Sequence, residues 1–119
     1  MAWMFESGKP LALQMADRLR WEILSGAYAR GTQFPTVRAL ADMASVNPNT
    51  VQRALLLLEG EGLLVTKTTV GRFITEDEEI LNVAREKEKE KFVASLLVGA
   101  KEKGMECEEL ISYIRKGWY

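Results

Sequence analysis

The chain has 119 residues, 47% apolar and 28% charged, the balance of a soluble globular protein with one domain or one small domain and an appendage. It has one cysteine, Cys107, and no histidine, which excludes an intrachain disulfide, histidine general bases and histidine triads, and nearly excludes thiolate or imidazole metal sites. The net charge of −1 hides an asymmetry: residues 1–75 carry 8 Lys/Arg against 6 Asp/Glu, a net +2, whereas residues 76–119 carry 8 against 11, a net −3. The front half is compatible with nucleic acid, and the acidic back half is not a surface that lies along phosphates. The uncharged run Phe92 to Ala100 is too short to span a bilayer. Glu6 comes early and no secretory apolar run follows, so a cytoplasmic protein with no membrane partner is expected.

Pro10 suits the first turn of a helix. After it Ala12, Ala16, Leu19 and Ile23 recur at helical spacing, with Leu13, Met15 and Leu24 widening the stripe. Gly26 is placed to stop that helix, and "AYARGTQF" reads as a loop. A short second helix follows Pro35 with Thr36 as its N-cap and Leu40, Ala41 and Ala44 on its buried side. It ends by about Ser45, because Asn47 precedes a proline and pre-proline residues avoid the helical region.

The third helix starts from turn-formers. Asn47 is the N-cap, Pro48 sits at N1 where its missing N–H is not needed, and Val46 and Val51 have the spacing of a hydrophobic staple. Val51, Ala54, Leu55 and Leu58 form the buried face, while Asn49, Gln52, Arg53 and Leu56 point away from it. Gly62 ends the helix. Two β-prone runs, roughly 63–67 and 72–75, then flank a turn containing Gly71 and predict a hairpin.

Residues 76–103 predict one long helix. "EDEE" places carboxylates in its first turn, where the helix dipole favours them, and "REKEKEK" alternates charge as a solvated spacer. "FVASLLVGA" is apolar nearly all round, which predicts burial on all sides. Gly104 breaks the helix, and Cys107, Leu110, Ile111 and Ile114 form a second apolar stripe, with Cys107 expected in the core. The two segments predict a helical hairpin too small to bury its own apolar surface, so a second copy of the chain is the expected partner. Phe92, Val93, Leu96, Leu97, Leu110, Ile111 and Ile114 are the candidate dimerisation residues.

A helix-turn-helix followed by a β-wing is a way of reading DNA, with the second helix of the pair entering the major groove nose first. The nose here is Asn47, Asn49, Thr50, Gln52 and Arg53. Asn and Gln pair bidentately with adenine, Arg with guanine, and Thr reaches phosphate. The expected class is therefore mainly α (α+β), a winged helix-turn-helix domain over 1–75 followed by a helical dimerisation region over 76–119. No residue set suggests catalysis, a cofactor or a metal.

The segments "PLALQMADRLRWEILSG", Gly31, "FPTVRALA", "VNPNTVQRALLLLEGEGLL" and "GRFIT", spanning Pro10 to Thr75, resemble the GntR family of transcription regulators, of the short YtrA-like type. The resemblance implies a dimeric DNA-binding protein, usually a repressor, often in an operon with a transporter. It implies that Thr36 contacts phosphate and that Arg38 reads guanine. It also implies that Asn47, Asn49, Thr50 and Gln52 occupy contact positions and that Gly71 approaches the minor groove. The chain departs from the family at Pro48 and Gln52, where basic residues are common, and at Thr69, where the wing usually has a glycine. Arg72 is the residue that would substitute in the minor groove. The expected partners are a palindromic double-stranded operator, a second copy of the chain, and an unidentified small-molecule effector if there is one. Trp3, Trp21 and Trp118 either line an effector pocket for apolar cations or, as favoured here, pack the C-terminal hairpin against the first domain. A winged helix that binds protein instead of DNA is the remaining alternative.

Overall fold

The computed structural model describes residues 3–67 and 69–119 and divides into two compact units, Met1–Val83 and Ala84–Tyr119. The division falls inside a helix. The first unit holds α1 (Leu11–Leu24), α2 (Val37–Ala44), α3 (Pro48–Gly60), β1 (Leu64–Lys67), β2 (Gly71–Ile74) and the start of α4 (Glu78–Glu102). The second holds the rest of α4 and α5 (Cys107–Trp118). The mainly helical winged-helix class expected from the sequence is the one observed.

Each helix of the first unit begins and ends for a local reason. Pro10 precedes α1 as its N-cap residue, and Gly26, at φ +90°, lies two residues past its end. Thr36 Oγ1 accepts from the Ala39 N–H at 3.1 Å, and Asn47 Oδ1 accepts from the Asn49 N–H at 2.7 Å, so both predicted caps are made. α3 runs to Gly60, and Gly62 stops it as the sequence predicts. The Gly62 N–H donates to the Glu59 carbonyl and the Leu63 N–H to the Leu58 carbonyl, which is a Schellman motif with Gly62 as its left-handed residue at φ +82°.

Ser45 does for α2 what a glycine does elsewhere. It caps the helix at φ 57°, ψ 46°, and the following Val46 N–H returns to the Ala41 carbonyl. Left-handed backbone is costly for a residue with a Cβ. Ser45→Gly is therefore expected to raise stability by about 1 kcal/mol or less, after the extra unfolded-state entropy of glycine is subtracted. A thermal melt checks this, and a fall in Tm would show that the Ser45 side chain contributes more than its backbone costs.

α3 packs against α1, α2 and β1 and is the centre of the unit. Met15, Leu19 and Ile23 of α1, Leu40 of α2, and Val51, Leu55 and Leu58 of α3 are all buried. Leu81, on the second turn of α4, is 2% exposed and completes this core. At the far end of α3, Arg20 makes a bidentate pair with Glu61, at 2.7 Å from Nε and 2.6 Å from Nη2, and a third bond to Asp17 at 2.6 Å. The bonds from Glu61 hold the guanidinium above its ordinary pKa against the opposing effect of burial.

β1 and β2 pair antiparallel from Leu64↔Ile74 to Lys67↔Gly71, one residue earlier at the second strand than the sequence suggested. The segment before α2 adds a third rung to this wing. Gly31 N–H donates to the Ile74 carbonyl, Ile74 N–H to the Thr32 carbonyl and Phe34 N–H to the Arg72 carbonyl, with a bridge between Gln33 and Phe73.

The second unit leaves most of its apolar surface open in the single chain. α4 and α5 follow one another as the two predicted helices, and α5 has no buried residue within the single chain. "FVASLLVGA" is exposed over most of its length, with Phe92 at 70% and Leu97 at 43%. Cys107 is exposed as well, contrary to the expectation of a core position. The stripes are apolar and largely open to water in the single chain. No helix among the described residues is long and apolar enough to cross a membrane.

Trp3 lies in the first unit beneath the Arg18 guanidinium, 3.8 Å from its ring centroid, and near Phe5. Trp21 and Trp118 are exposed. The cation on the Trp3 face is thus the protein's own, which weakens the case for that ring as a pocket for a lipophilic cation.

Candidate nucleic-acid interface

α2 and α3 meet through a short turn, Ser45 to Asn47, and α3 presents Asn49, Gln52, Arg53 and Leu56 on one exposed face at i, i+3, i+4 and i+7. Thr50 is half-buried beside them. Val51, Ala54, Leu55 and Leu58 point the other way, into the core, and so fix the rotation of the helix about its axis. That rotation makes the polar face a rigid one.

The caps leave usable donors. Asn47 spends its side-chain carbonyl on the Asn49 N–H, so its amide N–H groups remain for a partner. Thr36 accepts with its hydroxyl oxygen and keeps an O–H to donate. A cleft between the start of α2 and the wing is lined by Gln33, Thr36, Thr66, Gly71 and Arg72 among others, so it brings Thr36 together with the two wing residues named from the sequence. Arg38 is exposed on the first turn of α2.

The ion pairs sort the cations. Lys9 pairs with Glu6, Arg18 with Glu22, Arg20 with Asp17 and Glu61, Arg30 with Glu78, and Arg72 with Glu59. Among the described residues, the Lys/Arg of residues 1–75 left without a carboxylate are Arg38, Arg53 and Lys67. They lie on α2, on the exposed face of α3 and on the first strand of the wing. Lys67 rests over the Phe73 ring at 4.6 Å from the centroid. Sequence reasoning did not single out Lys67, although a basic residue just before a wing turn was a signal available to it. Arg72 is different: its Nε donates to Glu59, so its charge is already met within the protein.

Of the dimerisation candidates, Phe92, Val93, Leu96, Leu97 and Ile114 are exposed, and Leu110 and Ile111 are half-buried. All lie in the second unit.

A three-helix core with a paired wing and a polar, outward-facing third helix defines a winged helix-turn-helix DNA-binding protein. Residues 11–74 match the family described as bacterial regulatory proteins, gntR family. An uncharacterized HTH-type transcriptional regulator of Bacillus subtilis, YhcF, is 32% identical over 93% of this chain and 92% of its own length. The HTH-type transcriptional repressor YtrA of the same organism is 30% identical over 92% of this chain and 85% of its own. A solved GntR family transcriptional regulator from Listeria monocytogenes superimposes with a TM-score of 0.89 at 28% identity, covering 94% of this chain and 98% of that one. The chain belongs to the GntR family, and it is a DNA-binding transcription regulator, not an enzyme.

Proposed function

We propose that the chain is a homodimeric repressor that binds a palindromic operator in front of its own, transporter-linked operon, in the cytoplasm. Residues 1–75 read one half-site, and residues 76–119 hold two copies together. The observation that carries the reading is the distribution of uncommitted positive charge. Arg38, Arg53 and Lys67 sit on the three elements that meet DNA in a winged helix, while the cations elsewhere in residues 1–75 are neutralised. Asn49 and Gln52 share the α3 face with Arg53 and supply donor–acceptor pairs for adenine edges. Thr36, Asn47 and Thr50 supply contacts to phosphate and sugar, and the bare backbone at Gly71 allows close approach of the wing.

Repression is supported by the likeness to YtrA, a transcriptional repressor. Pairing of two copies is supported by the exposed apolar residues of α4 and α5, which one chain leaves open to water. A closed two-fold dimer presents two identical reading heads, which is why the operator is palindromic.

The test is binding to DNA from upstream of the chain's own operon against a scrambled sequence of the same composition, across a salt series. A preference of about 10³-fold or more is expected, with affinity falling linearly on a log–log plot against salt as phosphate contacts are displaced. Equal, weak binding to both DNAs would remove the operator reading.

A further inference from the structure

The wing of this protein is fastened to the recognition helix by side chains, and the residue that fastens it is the one a sequence reading sends into the minor groove. Arg72 lies on β2 and Glu59 on the last turn of α3, thirteen residues apart in the chain. The Arg72 Nε donates to Glu59 Oε1, and both side chains are largely covered, at 18% and 24% exposed. A pair this far out of water is screened less by salt than a surface pair. For Arg72 to reach a phosphate or a base it would have to leave Glu59, and the stranded carboxylate would then repel the same DNA.

A second fastening acts at the tip. The Gln33 side-chain Nε2 donates to the Val70 carbonyl at 2.9 Å, in the turn closed by the Val70 N–H on the Lys67 carbonyl. Gly71 follows at φ +127°, and a Cβ there would sit 3.1 Å from Gln33 Nε2. The positive φ favours glycine there, and a side chain would also crowd the carboxamide. Gln33 itself lies on the rung that pairs with β2, two residues before Pro35 and three before Thr36. One segment thus carries the wing on one side and the start of α2 on the other.

The geometry points to Arg72 as a positioning residue. With Glu59 and Gln33 it sets the angle between the wing and α3, so that the wing is presented to DNA as part of a rigid reading head. This rests on the DNA-reading function above and specifies how the wing takes part in it.

The test uses the full chain and an operator selected by the wild-type protein from a random DNA pool. Failure of the wild type to select any sequence would remove the DNA reading itself. The fastening is then still decided in the free protein, by residual dipolar couplings of the wing amides relative to those of α3. If Arg72 positions the wing, Glu59→Gln and Arg72→Gln each weaken operator binding by roughly fivefold or more, and the double variant is no worse than either alone. The exchanged pair Glu59→Arg with Arg72→Glu recovers affinity, and the salt slope is unchanged in every variant. If Arg72 contacts phosphate, Arg72→Gln lowers the salt slope by about 1 and Glu59→Gln tightens binding by releasing the guanidinium. Either of those results overturns the proposal. Gln33→Glu keeps the length and loses the donor. It is expected to shift the wing couplings in the same direction as Glu59→Gln, and unchanged couplings in both variants would also overturn it.

Discussion

Leu97→Glu is expected to convert the protein to a monomer and to lower operator affinity by about 10²- to 10⁴-fold, the advantage that a linked second site confers. Leu97 lies on α4 among Phe92, Val93, Leu96 and Val98, all exposed in the single chain. Its replacement costs the isolated chain little, because a half-exposed position on a helix accepts glutamate with no loss of helix propensity. In a dimer the same carboxylate would enter an apolar interface, where burying a charge costs several kcal/mol. Sedimentation equilibrium reads the assembly, and fluorescence anisotropy on the operator reads the consequence. Leu97→Met keeps the volume and should change neither. A Leu97→Glu protein that sediments as a dimer would place the pairing surface elsewhere. A monomer with undiminished affinity would remove the two-site reading of the operator.

Arg38→Ala is expected to weaken specific binding by roughly 1–3 kcal/mol, about tenfold or more, and to relax preference at one base-pair position. The expectation comes from what Arg38 does not do. It is exposed on the first turn of α2, and among the described residues it has no carboxylate to release it from, so a DNA partner would not have to break an existing pair. Its removal should leave Tm within about 0.5 kcal/mol of the original stability, as for surface substitutions away from caps and core. Binding measured over a panel of operators with single base changes separates two roles. A guanine reader loses discrimination at one position, whereas a phosphate contact loses affinity uniformly and lowers the salt slope by about 1. No change in either would mean that α2 is not at the DNA surface.

Much of the first unit was legible because its signals are local. Thr36 and Asn47 cap by reaching two or three residues along the chain, and Pro48 fixes the first turn of α3 through its own ring. The i, i+3, i+4, i+7 spacing of Val51, Ala54, Leu55 and Leu58 sets which way the helix faces, and so sets the polar face by subtraction. Gly62 was legible as the stop of α3 because a Schellman turn places its glycine just beyond the last helical residue.

In the second unit the helices themselves were legible, but not what covers them. Apolar stripes on α4 and α5 predict that each is covered, but a stripe does not say by what. Phe92 and Leu97 lie open in the single chain, and Cys107 lies open where the sequence suggested a core position.

The sequence by itself determined the class of this protein: helix periods, caps and the wing's turn are properties of neighbouring residues, and together they specify a winged helix with a polar third helix. Only the tertiary structure decided which charges are spent. Arg20 on Glu61, Arg30 on Glu78 and Arg72 on Glu59 are pairs between residues far apart in the chain, and Arg38, Arg53 and Lys67 are what remains. Electrostatic pairing depends on distance in space, to which sequence separation is no guide once helices and strands have packed.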